Sequence, residues 1–449
     1  MRILIANFPW CVEGQCGVRA GSRWPFTAQG PATYLPFPFF LAYTASYLKR
    51  NGYQVKMIDA IAESLDEESF LERVVRYKPQ MIIAETSTPS FEHDIGIALR
   101  IKERLDTICV CVGPHATVYA RDILTTHPVI DYVLMGEYEL AAAGLADALE
   151  QKRDIQYTEG VAYRQGREIR INRPGPTLKD LDRLPWPERE DVPLYNYNDG
   201  FCGLPEPHVQ MLASRGCPFR CTFCLWPQVM YQEHVHRRRD PRLVIDELEW
   251  LIRTYDFKAV YFDDDTFNVN KPYVVEICNE IKKRGIHIPW AAMARADLMD
   301  QELLREMREA GMYAIKYGIE SANIEILRRC KKNMDIERCR KIVKETKKIG
   351  IRVHLTFCLG LPGETPHTIQ ESLCFLRQVD PDSVQFSLAT PFPGTELYND
   401  LKQNNLLKTR DWSQYNGNIR AVAGTGELSP ADLERYLGQV RILQKNSSR

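Results

Sequence analysis

Short apolar runs alternate with stretches of helical spacing along most of the chain, in two separate series. Apolar runs of strand length between amphipathic helices are strands buried on both faces. The alternation therefore predicts parallel sheets wrapped by helices. In the first series strands are expected at residues 2–6, 54–59, 80–84, 108–112 and 132–135, and helices at 39–51, 71–77 and 92–104. Gly52 and Pro79 stop two of those helices. This predicts an α/β, doubly wound, Rossmann-like domain over residues 1–150. Ligands of such sheets sit at the carboxyl ends of the strands. The loops there carry Thr86, Ser87 and Thr88, then Gly113, His115 and Thr117, then Gly136 and Glu137. No G-x-G-x-x-G follows the first strand, which disfavours a dinucleotide.

Residues 151–204 read as a hairpin at 155–171, turning at 164–167, and a proline-rich connector through Leu184-Pro-Trp-Pro. The second series fills residues 205–400. Strands are expected at 209–213, 259–262, 288–293, 314–319, 352–357 and 384–388. Asp240-Pro241 and Asn270-Lys-Pro272 open two of the intervening helices. Six such units predict a partial (β/α)6 barrel of TIM type, with its site at the carboxyl ends of the strands. The remaining 401–449 form a small C-terminal region ending in an amphipathic helix at 430–444.

Cys217, Cys221 and Cys224 follow the first barrel strand, in Ser-Arg-Gly-Cys-Pro-Phe-Arg-Cys-Thr-Phe-Cys. Thiolates bind soft metals and iron–sulfur clusters. A cubane ligated by three cysteines keeps one iron open. A structural zinc would need a fourth ligand, for which Cys202, His234 and His236 are candidates. A redox pair is a third reading. The strand before the motif and the repeats after it favour the cluster. Polar groups recur at the later strand ends: Asp263–Asp265, Arg295, Gly318 with Glu320 and Ser321, then Gly360, Gly363 and Glu364. Taken singly, each of these also fits a cap or a turn.

Lys and Arg number 58 against 59 Asp and Glu, for a net charge of −1, which removes the simplest electrostatic case for nucleic acid. The 13 cysteines are unevenly spaced and no signal peptide precedes them, so a reducing cytoplasm is expected. Cys11, Cys16, Cys109, Cys111, Cys278, Cys330, Cys339, Cys358 and Cys374 are expected as buried thiols. The apolar stretch 34–48 is too short to span a bilayer.

The cysteine motif resembles the C-x-x-x-C-x-x-C fingerprint of the radical S-adenosylmethionine (SAM) superfamily. The front domain, the Leu-Pro-Trp-Pro linker and the barrel together resemble its cobalamin-binding class. The resemblance implies a 4Fe-4S cluster on Cys217, Cys221 and Cys224, with SAM chelating the open iron. It gives SAM contacts to Phe223, Arg295, Gly318, Glu320, Ser321, Gly360, Gly363 and Glu364. Cobalamin contacts fall to Thr86, Ser87, Thr88, Gly113, His115, Thr117, Gly136 and Glu137. The D-x-H-x-x-G signature is absent, which implies cobalamin held without a protein histidine. His115 equally fits a structural histidine in a tight loop.

The activity so implied is methyl transfer to an unactivated carbon of a natural-product or lipid intermediate, with electrons from an external flavodoxin- or ferredoxin-type donor. The rivals are a non-methylating member that cyclises or rearranges its substrate, a tRNA methylthiotransferase, and a zinc-stabilised binding module without turnover. No residue is singled out as the catalytic acid or base.

Overall fold

The computed structural model describes residues 1–12, 14–18, 26–29, 34–175 and 177–447. The front sheet places its strands in the order Gln54–Asp59, Arg2–Asn7, Met81–Glu85, Ile108–Val112, Tyr132–Leu134, all parallel. This is the doubly wound order whose direction reverses beside the first strand. The hairpin of Val161–Gln165 and Glu168–Ile171 then adds two antiparallel strands to the edge of the same sheet. The front unit thus continues past residue 150, because Tyr132–Leu134 would otherwise stand as an unpaired edge.

Six parallel strands make the second sheet in sequence order: His208–Met211, Ala259–Phe262, Trp290–Ala294, Met312–Glu320, Arg352–Leu359 and Ser383–Leu388. The first and sixth do not pair, so the barrel stays open on one side. The front domain meets that open side. Phe37 N donates to Gln210 Oε1 at 2.7 Å, and Leu35 bridges to Asn198 in the connector. The helix Pro430–Ser447 lies along the sixth strand. Leu433 from it approaches Gly360, where an added Cβ would be 3.0 Å away.

Alternate residues of the barrel strands divide between two environments. Val260, Ala292, Ile315, Val353 and Leu355 join the helices in an apolar core shared with the front domain. Tyr261, Ala291 and Ala314 face inward onto Phe201 and Leu204, which plug the bottom of the barrel.

The junction carries buried charge. Arg215 lies 2.9 Å from Glu137 and 2.7 Å from Glu139, Arg237 lies 2.7 Å from Glu137, and all four side chains are buried. Arg215 also covers the rings of Phe40 and Tyr43, and Phe40 stacks on Trp226.

Two cysteine expectations fail. Cys11 and Cys16 form a disulfide rather than two thiols, because the antiparallel hairpin sets them directly opposite with Cα atoms 4.2 Å apart. Cys374 is exposed on the helix Pro366–Val379 rather than buried. Cys109, Cys111, Cys278, Cys330, Cys339 and Cys358 are buried thiols as expected. No helix among the described residues is long and apolar enough to cross a membrane.

Candidate functional site: a three-cysteine loop at the barrel mouth

The cysteine loop hangs from the second barrel strand. Asp264 accepts from Ala213 N at 3.2 Å and from the Ser214 hydroxyl, while Asp265 accepts from Gly216 N and from Tyr231 Oη, both at 2.8 Å. Gly216 has φ +89°, and an added Cβ would sit 2.2 Å from the Val235 carbonyl, so only glycine fits before the first cysteine. Gln228 holds the far end. Its amide donates to the carbonyls of Cys221, Thr222 and Cys224 at 3.2, 3.1 and 2.8 Å, and its Oε1 accepts from Glu396 N. Thr222 N bonds the Cys330 carbonyl, tying the loop to the helix Ile324–Arg329.

Burial raises the thiols of Cys217 and Cys221; Lys332 first, then Arg295, pull Cys221 back down. Those cations would stabilise the thiolates that metal binding requires. The rival zinc ligands are placed elsewhere. His234 Nδ1 bonds the Phe219 carbonyl at 2.8 Å and His236 Nε2 lies 3.0 Å from Ser214 Oγ. Cys202 lies at the bottom of the barrel, 3.2 Å from Ser383 Oγ. Among the described residues no three such side chains could hold a single metal ion. A cubane differs, since each thiolate meets a different iron and the sulfurs stand further apart. The three-thiol loop with no fourth ligand fits that cluster.

Beside the loop, Glu320 ends the fourth strand at φ +67° after a register shift at Gly318. Its Oε1 accepts from the buried Lys332 Nζ at 2.9 Å. An added Cβ at Gly318 would lie 2.6 Å from that carboxylate and 3.2 Å from Lys332 Nζ. Arg295 is anchored beside the loop. Its guanidinium is bidentate to Asp297 at 3.0 and 2.7 Å and covers Phe219 of the cysteine loop. Ser321 is fully buried, and its Oγ accepts from Asn323 N in the turn below. Phe223 packs with Ile326, Cys330, Leu361 and Leu397 as an apolar wall under the loop. An added Cβ at Gly363 (φ +82°) would fall 2.1 Å from Arg329 Nη1.

Gly360 N donates to Glu364, whose carboxyl burial pushes up to about 8. Asp264 is likewise pushed up to about 7 by burial. A folded carboxyl that titrates above its ordinary value holds a proton the unfolded chain has lost. Its contribution to stability therefore falls as pH rises from the ordinary range through the folded value, and is flat beyond it. For Glu364 that window runs from 4.5 to about 8. Thermal melts of Glu364→Gln should thus decline less between pH 6 and 8 than those of the parent; equal slopes would refute the assignment.

At the carboxyl end of the front sheet, most of the expected cobalamin contacts bond one another. Thr86 donates to Asp94 at 2.6 Å, and Ser87 and Ser90 cap each other. Thr117 donates to the Gly113 carbonyl and accepts from Gly136 N, at 2.8 and 3.0 Å. Glu137 is held by the two arginines of the junction. His115 lies 3.2 Å from Thr88 Oγ1 among Phe91, Tyr119 and Trp412, and burial lowers it to about 3. His115 is thus enclosed by its own loop and three aromatic rings. A cavity of about 600 Å³ opens at the ends of the first two strands, between Trp10, Leu35, Ile61 and Asn198.

Sequence reasoning missed Lys332 and Gln228. Lys332 closes an Arg-Arg-Cys-Lys-Lys run that reads as solvated surface, and nothing local marks Gln228 as the clamp of a loop.

Residues 211–376 match the model of the radical SAM superfamily, and residues 31–146 that of the B12 binding domain. An uncharacterized methyltransferase of Pyrococcus horikoshii is 32% identical over 381 residues, covering 84% of this chain and 81% of the relative. The anaerobic magnesium-protoporphyrin IX monomethyl ester cyclase of Synechocystis is 28% identical over 454 residues, 99% of this chain and 85% of the cyclase. The methyltransferase TsrM of Kitasatospora setae, solved with cobalamin and a 4Fe-4S cluster, superposes with a TM-score of 0.72 at 17% identity, over 97% of this chain and 86% of that one. The cobalamin-dependent radical enzyme OxsB, solved with aqua-cobalamin and SAM, gives a TM-score of 0.69 at 16% identity, over 99% of this chain and 61% of that one. The chain belongs to the cobalamin-binding radical SAM family that contains these methyltransferases and cyclases, and it uses a 4Fe-4S cluster, SAM and cobalamin.

Proposed function

We propose that this chain is a cobalamin-dependent radical SAM C-methyltransferase acting on an unactivated carbon of a small natural-product or lipid intermediate. The observation that carries this reading is the buried link from the front domain to the cysteine loop. Glu137, on a loop of the B12-binding unit, pairs with Arg215, two residues before Cys217. The two cofactor-binding units are thus braced against each other at the barrel mouth.

When bound, the cluster and SAM supply one-electron cleavage chemistry and the corrinoid supplies a methyl carrier. The chain's own residues bind, orient and exclude water. Cys217, Cys221 and Cys224 hold the cluster. Asp264, Asp265 and Gln228 keep its loop in place. Glu320 and Lys332 offer one carboxylate and one ammonium to the charged ends of SAM, and Arg295, committed to Asp297, buttresses Phe219 instead. Phe223 and the turn from Gly360 to Glu364 wall the adenosine side. An external flavodoxin- or ferredoxin-type protein supplies the electron.

The second reading, cyclisation without methyl transfer, draws on the full-length similarity to the ester cyclase. SAM carrying a labelled methyl group separates the two in the reconstituted enzyme, incubated with candidate substrates and a reductant. Label in the product, with deoxyadenosine formed, is the expected result. Deoxyadenosine and altered product without label would replace the methyltransferase by the cyclase.

A further inference from the structure

The lumen of the barrel is more polar than its structural role requires. Lys316 and His354 are register neighbours on the fourth and fifth strands, and both are more than nine-tenths buried. Both share the inward side with Phe201, since Lys316 Nζ lies 4.8 Å from that ring and the His354 ring 5.5 Å. They stand one inward position below Gly318 and Thr356, directly under the Glu320–Lys332 pair. Gly318, with no side chain, leaves room there. Met293, Gly318, Thr356 and Ser387 stay partly accessible and Gln385 exposed, whereas their outward neighbours Ala292, Tyr317, Leu355 and Phe386 are buried. The inward layer above Lys316 and His354 is therefore partly accessible.

Neither side chain is used up by its neighbours. Lys316 Nζ meets one carboxylate, Asp199 in the connector, at 3.3 Å, and otherwise only the faces of Phe201 and Tyr261. An ammonium has three donors. His354 Nδ1 lies 2.7 Å from Ser383 Oγ, while its Nε2 is buried with no hydrogen-bond partner. Among the described residues, Gln385 is the one other polar side chain that reaches this ring. When the Ser383 hydroxyl donates to Nδ1, the ring proton sits on Nε2. Burial lowers this imidazole to about 3, so it stays neutral and offers that proton as a donor. An orphaned buried donor beside a partly satisfied ammonium costs stability unless something fills the place.

Resting on the barrel being the radical SAM site, we infer that the lumen binds an anionic oxygen group of the substrate, a carboxylate or a phosphate, on Lys316 Nζ and His354 Nε2. Asp199 occupies the ammonium from below, so it competes electrostatically with that ligand.

The test uses the full chain with its cluster reconstituted and SAM bound, titrated with inorganic phosphate and separately with acetate, followed by line broadening of the anion resonance. Saturable binding is expected. Lys316→Met and His354→Phe should each weaken it about tenfold, the size of one charge-assisted hydrogen bond. Lys316→Arg should restore it, and Asp199→Asn should tighten it. Phosphate alone binding points to phosphorylated substrates, both anions to carboxylates as well. The inference is overturned if the parent shows no saturable binding, or if affinity is unmoved by Lys316→Met and Asp199→Asn. Iron content and substrate-free SAM cleavage, measured on the same samples, separate this outcome from failure of the underlying reading. Normal values with no anion bound overturn only the lumen site, whereas loss of both in the parent overturns the radical SAM site.

Discussion

Replacing Cys217, Cys221 or Cys224 singly by alanine should abolish iron–sulfur absorbance and drop SAM cleavage below detection. Each thiolate ligates a different iron, so two remaining cysteines leave the cubane without a complete cage. No described side chain can substitute, since His234, His236 and Cys202 are engaged or distant. The informative controls are Cys330→Ala and Cys358→Ala, buried thiols packed against the same loop. They should cost stability on the scale of a small cavity, about 1 kcal/mol, and leave the cluster in place. A triad variant that keeps full iron and sulfide, or a control that loses them, would move the cluster elsewhere.

The second large effect is expected at the junction. Arg215→Ala leaves Glu139 buried without its cation and Glu137 with one arginine in place of two. Breaking a buried charge pair by removing one partner costs about 3–5 kcal/mol. In the Glu139→Gln background the same change should cost less, because Glu137 still has Arg237. The cycle is read by chemical denaturation. Additive costs would mean that Arg215 and Glu139 do not interact. Arg215→Ala should also speed iron loss to a chelator, since Arg215 adjoins Gly216 and the loop hung from Asp265.

The division between sequence and tertiary structure follows physical range. Local signals were sufficient for most strands and several helices, because periodicity and caps act over a few residues, while the front helices Pro114–Thr126 and Glu139–Glu150 went unmarked. Asp240 and Asn270 each cap the helix that their sequence context marks. The three-cysteine motif was legible for the same reason, since its spacing is local and its donor chemistry specific. Two inward-facing features were legible only as candidates: that Glu320 and Glu364 face the site could be expected, what holds them could not. The resemblance makes Arg295 a candidate for SAM's carboxylate; that Asp297, two residues on, pairs with it emerges only from the fold.

Local pattern alone yields two α/β units, a metal motif and the strand ends that form the mouth of the barrel. Only the tertiary structure decided that the hairpin extends the front sheet and that Cys11 faces Cys16. The fold likewise places Lys332 beside Cys221 and makes Glu137 a brace between the two units. The brace alone joins Glu137 to Arg215 and Arg237 across 78 and 100 residues of chain. Burial makes an unpaired charge or strand edge costly, so partners are chosen by folding geometry, which no local pattern encodes.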